Sequence, residues 1–405
     1  MRTQVTFLVK PETSPRLTPP VTHAGPTDGN PGGGRRPPGD GDWRRRLYDT
    51  GLVLGVVAIV LGMAAGAWWV ASGHLTEEKG GSAPAAADPN AVAAAPMLAD
   101  AKGIDFEKYE RPDPTLPAPP KGTVKKFRVD VYEHVTQVAP QLAPTKVWSF
   151  AINGKDHRGT GVSEPMVVTQ GDRVEIELVN GGGEDMNVQM PHSIDYHSSE
   201  VAPNEAFKTI APGASHKFEF TADHPGVFMY HCATDPVLLH TGAGMMGAMI
   251  VKPRNLPAVD RELWMVQQEF YIGKPGATAD MAKLQAKRPD VIAFNGYANQ
   301  YKDHPIPVNK GEKVRMYVLN AGPSIWSAFH VIGTVFDRTV VEGTVGHDAQ
   351  TVNLAPSQGG WVEFTLDAEG NFPFVTHAFG DMTKGALGVL HTAKAPAPGH
   401  SGHAH

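Results

Sequence analysis

Gly171-Asp-Arg-Val-Glu-Ile-Glu-Leu-Val-Asn-Gly-Gly182 and Gly311-Glu-Lys-Val-Arg-Met-Tyr-Val-Leu-Asn-Ala-Gly322 are one phrase written twice. In each copy apolar residues alternate with polar ones, Val174, Ile176 and Leu178 in the first and Val314, Met316 and Val318 in the second. Alternation with a period of two is the pattern of a strand with one buried face, and the flanking Gly and Asn are turn residues. A second phrase is also duplicated, Asp-His-Pro-Gly-Val-Phe-Met-Tyr-His-Cys over 223–232 and Asp-Ala-Glu-Gly-Asn-Phe-Pro-Phe-Val-Thr-His over 367–377. Similar short runs lie at 126–132, 217–220 and 361–366, punctuated by Gly, Pro and Asn. The reading is an all-β chain of two duplicated sandwiches, domain 1 over 122–254 and domain 2 over 255–392. A linking helix is expected around Thr278–Lys287.

Outward from this core, 405 residues allow two domains once non-globular segments are set aside. Residues 1–43 are rich in Pro, Gly and Arg, and the composition implies a disordered cytoplasmic segment. Arg44, Arg45 and Arg46 precede Gly51–Ser72, an uncharged, mostly apolar run. That run is long enough to cross a bilayer, and the arginines hold its N-terminal side in the cytoplasm. Residues 44–72 are therefore read as a transmembrane anchor, with a signal peptide cut near Ala83–Ala87 as the competing reading. Either way the body is exported; the expected location is periplasmic, anchored in the inner membrane by 51–72. Residues 73–121 read as an Ala/Pro-rich tether, and 393–405 as a disordered tail containing His400, His403 and His405. The net charge of −6 gives no reason to expect a nucleic-acid partner. One cysteine excludes an internal disulfide.

That cysteine sits in Tyr230-His231-Cys232-Ala-Thr-Asp-Pro-Val-Leu-Leu-His240-Thr-Gly-Ala-Gly-Met245. Thiolate, imidazole and thioether on one loop are the soft ligands that suit copper. Neighbouring side chains on a strand face opposite ways. His231 and Cys232 therefore cannot easily serve one metal but can serve two, one on each face, joined by one peptide bond. The upstream segment Met190-Pro191-His192-Ser-Ile-Asp195-Tyr-His197 is sorted by the same parity. Asp195 and His197 share a face, while His192 lies an odd number of residues from both. His192 then joins Cys232, His240 and Met245 in a His₂CysMet electron-transfer site. Asp195 and His197 fall on the side of His231. A substrate-accepting metal asks for a third protein ligand and an open position. The residue that the repeat pairs with His231 is His377, which is followed by Ala378 rather than a cysteine.

At these blocks the chain resembles the copper-containing nitrite reductases, over roughly 122–392. The matching motifs, in order, are MPHSIDYH, YHCATDPVLLHTGAGMMGAMIVKP, AFHVIG and VTHAFGDMTKGALG. The eight-step spacing from Cys232 to His240 is similar to that of the shorter-loop subgroup. The resemblance implies two tandem cupredoxin-like Greek-key domains and two coppers per subunit. It implies a type 1 copper on His192, Cys232, His240 and Met245, and a type 2 copper on His197, His231 and His377 across the interfaces of a homotrimer. It also implies Asp195 and His330 as the catalytic pair and Ile332 over the copper pocket. Gln350 and Thr351 stand where the family places hydrogen-bond partners of that His.

The implied reaction reduces nitrite to nitric oxide with one electron and two protons, releasing water, as in denitrification. Asp195 would supply a proton, a role that burial of its carboxyl favours, and His330 the second. A separate donor, a small cupredoxin or a cytochrome c, would deliver the electron. Two rivals differ in the residues they require. A laccase-like multicopper oxidase needs several His-x-His pairs and a His-Cys-His triplet, whereas Cys232 is followed by Ala233. A non-catalytic electron-transfer cupredoxin has no use for Asp195, His330 or His377.

Overall fold

The structure, a computed structural model, describes residues 94–181 and 188–396. The expected anchor at 44–72, the segment 1–43 and the tail histidines lie outside these residues. Among the described residues no helix is long and apolar enough to cross a membrane.

Among the described residues the first sandwich is built from eight strands: β1 Val124–Thr136, β2 Thr145–Ile152, β3 Met166–Thr169, β4 Arg173–Asn180, β5 Asp195–Tyr196, β6 Ser215–Thr221, β7 Gly226–His231 and β8 Met246–Lys252. They form two sheets, in the orders β2-β1-β4-β6 and β3-β8-β7-β5. Their facing sides share one core, including Val129, Phe150, Ile176, Tyr230, Cys232 and Met249. The second sandwich follows as β9 Arg261–Phe270, β10 Val291–Phe294, β11 Ile306–Val308, β12 Lys313–Gly322, β13 Ser327–Val331, β14 Arg338–Val341, β15 Thr344–Gly346, β16 Val352–Leu354, β17 Gln358–Thr365, β18 Asn371–Thr376 and β19 Leu387–Thr392. Its sheets run β10-β9-β12-β17-β14-β15 and β11-β19-β18-β13-β16.

The duplicated phrases occupy equivalent places. β4 pairs parallel with β1 and antiparallel with β6, and β12 pairs parallel with β9 and antiparallel with β17. The asparagine that ends each phrase makes the same two bonds. Asn180 Nδ2 donates to Met190 O at 3.0 Å and Ile210 O at 2.9 Å. Asn320 Nδ2 donates to Ile325 O at 2.8 Å and Leu354 O at 2.9 Å.

The alternation of β7 couples the sandwiches. Phe228 and Tyr230 face the first core, while Val227 and Met229 join a cluster with Trp264, Tyr317, Leu319 and Trp361 of the second sandwich. Gly359 permits that approach, because a Cβ there would lie 2.5 Å from Val227 O.

Two details differ from the sequence reading. The linking helix is shorter, Met281–Gln285, because Asp280 caps it through Lys283 N and Lys287 turns left-handed at φ 55°. Residues 94–121 of the tether are docked rather than free. Leu98 N bonds Gln141 O at 2.8 Å, Glu107 N bonds Val135 O at 2.9 Å and Leu116 N bonds Glu262 O at 3.0 Å. Tyr109 stacks on Tyr297 with centroids 3.9 Å apart, and Trp264 Nε1 donates to Asp113 O at 3.0 Å. An Ala/Pro-rich segment has no periodicity to announce such a strap, since its bonds use the main chain and isolated aromatics.

β1 also carries a buried histidine. His134 Nε2 bonds Thr160 O at 3.2 Å, and burial lowers its pKa from the usual 6.5 to about 4. The unfolded chain therefore takes up a proton between these values while the folded ring stays neutral. The stability present above pH 6.5 is lost as pH falls toward 4, by roughly 3 kcal/mol for this group. His134→Gln should flatten that limb of the stability–pH curve, measured by denaturant unfolding. An unchanged slope would refute the assignment.

Candidate metal centres

The parity of β7 carries through to its end. Cys232 belongs with Tyr230 in the first core, and His231 lies on the side of Met229 and Val227. β5 pairs antiparallel with β7 so that Asp195 stands opposite His231, and His197 N continues the pairing to Met229 O at 3.0 Å. Two groups of ligating side chains with converging atoms result, His192–Cys232–His240 and Asp195–His197–His231, the only such groups among the described residues.

The first group is fully enclosed. His192 Nδ1 and His240 Nδ1 face each other at 3.1 Å, and Cys232 Sγ lies 3.3 Å from His240 Nδ1 and 3.9 Å from His192 Nδ1. The Nε2 atoms of both rings are buried and have no hydrogen-bond partner among the described residues. Burial pushes the His192 ring down to about 3, assisted by His240, and burial also lowers His240. Two imidazole Nδ1 atoms converging with a sulfur fit a soft metal ion. Met245 is fully buried in the same core; its N–H bonds His240 O and its carbonyl accepts from Cys232 N, each at 3.1 Å. His192 is held by paired bonds with Ile210 and by Asn180 on the flanking Met190 carbonyl.

Trp148 completes this site, unannounced by the sequence. Its ring stands edge-on to both histidines, with centroids 4.9 Å from His240 and 5.4 Å from His192. It reaches them from β2, and no local spacing links it to either ligand.

The second group is more open. His231 Nε2 lies 3.1 Å from His197 Nε2 and 3.9 Å from Asp195 Oδ2. His231 Nδ1 bonds the Cys232 carbonyl at 2.8 Å, which assigns the proton to Nδ1 and leaves the Nε2 lone pair for a metal. Burial lowers the pKa of His197, with His231 adding to the effect. The Asp195 side chain is 29% exposed, so this chain alone does not bury it fully.

His377 and His330 are brought together elsewhere. His330 on β13 pairs with Val375, and His377 N bonds Ala328 O at 2.7 Å, just beyond β18. The rings lie 5.3 Å apart, with Phe379 packed 4.7 Å from His377. His330 Nδ1 bonds the Gln350 carbonyl, and burial lowers its pKa. Ala328 holds the position of Asp195 and His330 that of His197, so this pair duplicates the pair in the first sandwich. Ile332 is 40% exposed beside it, its N–H on Pro373 O at 2.7 Å.

A multicopper oxidase family model matches residues 133–255. The copper-containing nitrite reductase of Neisseria gonorrhoeae is 38% identical over 242 residues, covering 57% of this chain and 61% of that protein. The copper nitrite reductase of Nitrosomonas europaea superposes with a TM-score of 0.60 at 28% identity, over 67% of this chain and 94% of that one. This chain resembles the copper-containing nitrite reductases. A third relative, the copper-containing nitrite reductase of Thermus scotoductus, gives a TM-score of 0.58 at 29% identity, over 67% of this chain and 62% of that one. The cupredoxin-like architecture accords with the two superposed structures. The match spans about three fifths of the Neisseria relative's length.

Proposed function

We propose that this chain reduces nitrite to nitric oxide and water, taking up one electron and two protons. The observation that carries the reading is the pair of ligand groups on opposite faces of β7, joined by the His231–Cys232 peptide bond. Copper in the two groups would supply one-electron redox chemistry at a soft site and Lewis acidity at a three-histidine site. His192, Cys232, His240 and Met245 would hold the first ion. His197 and His231 would hold the second, with His377 given by a neighbouring copy of the chain in a homotrimer.

Each remaining residue has a task consistent with its place. The bond from His231 Nδ1 to the Cys232 carbonyl fixes the imidazole that links the two groups. Asp195, opposite His231, is positioned to give a proton to an oxygen held at that imidazole's far side. His330 carries its ring proton on Nδ1 against Gln350, so its Nε2 is the atom left to exchange one. Ile332 would close over this space when copies assemble. A separate small redox protein supplies the electron. Residues 51–72 anchor the body outside the cytoplasm, a reading supported by the arginines that precede the apolar run.

The test uses the full chain, copper-loaded, with nitrite and a reduced dye. Nitric oxide should appear in step with electrons consumed, and only from the trimer in sedimentation. Because a bound ligand shared between copies favours the assembled state, removing copper should loosen the trimer. A monomer that makes nitric oxide, or a copper-loaded trimer that makes none, would overturn the reading.

A further inference from the structure

Ser193 follows His192 and is fully buried. Its backbone N–H donates to Cys232 Sγ at 3.4 Å, and its Oγ lies 3.8 Å from the same sulfur. That oxygen accepts the Ala233 N–H at 3.0 Å and the Thr234 hydroxyl at 3.1 Å. Thr234 Oγ1 in turn lies 3.0 Å from the hydroxyl of Thr209, an exposed residue.

The hydrogen inventory fixes the direction of this chain. A serine hydroxyl has one hydrogen and two lone pairs. Ala233 and Thr234 occupy both lone pairs of Ser193, so its one hydrogen is left for Cys232 Sγ. A metal-bound thiolate only accepts, which agrees. Thr234 has given its hydrogen to Ser193 and so accepts from Thr209. The relay is polarised inward, Thr209 to Thr234 to Ser193 to sulfur, and each bond strengthens the next.

A thiolate donates electron density to an oxidised copper. Hydrogen bonds on the sulfur withdraw that density and favour the reduced ion. We infer that Ser193, oriented by Thr234 and Thr209, is a positioning residue that raises the reduction potential of the copper at Cys232 through an O–H···S bond. The inference rests on the copper reading given under Proposed function and goes beyond it by naming what tunes the site.

The test is redox titration of the Cys232–copper absorption in the full, copper-loaded protein. At a fixed poise, Ser193→Ala should lower the ratio of reduced to oxidised copper roughly 3- to 10-fold, where tenfold is 59 mV for one electron. Thr234→Val retains the Ala233 bond but removes the orienting donor, so it should shift the ratio the same way by less. Ser193→Thr retains the hydroxyl and should restore most of the wild-type value. Wild-type potentials in Ser193→Ala and Thr234→Val, with copper retained, would overturn the inference. A shift in Ser193→Ala with none in Thr234→Val would reduce the relay to a packing contact and also overturn it. If the unsubstituted protein lacks the absorption altogether, the copper reading itself fails, which is a distinct result.

Discussion

Cys232→Ala will leave a colourless protein that still holds the metal at His197 and His231. Cys232 is the single cysteine in the chain, and its sulfur sits within reach of two imidazole Nδ1 atoms. An intense visible band from a thiolate-bound copper therefore has one possible source. Alanine removes a fully buried sulfur, a change on the order of 1 kcal/mol in packing, so the sandwich should survive. The neighbouring imidazole keeps its geometry, because its Nδ1 bonds the main-chain carbonyl of residue 232, which alanine also has. Metal analysis should show one ion lost per chain and the other retained. Nitrite turnover with a reduced dye should collapse, since the soft electron-accepting site is gone. A Cys232→Ala protein that keeps its colour would sink the assignment, as would one that loses both metals while remaining folded.

What the sequence revealed of this site was the part encoded by alternation. Residue parity separated Cys232 from His231 and placed Asp195 with His197, and in the structure β5 pairs antiparallel with β7 so that Asp195 stands opposite His231. The repeated strand phrases revealed the duplication, down to the equivalent asparagines Asn180 and Asn320. What stayed hidden depends on contacts between distant elements. Trp148 reaches His240 across the sandwich, and a tryptophan in an apolar strand looks the same whether it faces a core or a metal site. The docking of 94–121 uses main-chain amides and carbonyls and isolated aromatics rather than a periodic side-chain pattern. The hydroxyl relay to Cys232 depends on the approach of Thr209 and Thr234, far apart in sequence. The duplicated His330–His377 pair is legible only in part: the repeat aligned His377 with His231, but not His330 with His197.

Asp195→Asn should keep both metals and lower nitrite turnover by roughly 10²-fold or more, the usual cost of removing a positioned proton donor. Asparagine preserves the shape of the side chain opposite His231, and among the described residues Asp195 makes no buried ion pair whose loss would unfold the sheet; its contact with His231 Nε2 is 3.9 Å and its side chain is part-exposed. The fall in rate would then report lost proton delivery rather than lost structure. His330→Ala should act in the same direction while leaving the Cys232 absorption and its reduction by dye unchanged, since His330 lies in the second sandwich with Gln350 and His377. His197→Ala separates the two kinds of defect. Removing a ligand whose Nε2 faces that of His231 should empty the second site, which metal analysis detects directly. On the proposed reading the protons come from groups beside the oxygen of nitrite, and Asp195 is the carboxylate that the pairing of β5 with β7 sets opposite His231. Wild-type turnover by Asp195→Asn from mildly acidic to mildly alkaline pH would place the proton path elsewhere and return weight to a protein that only carries electrons.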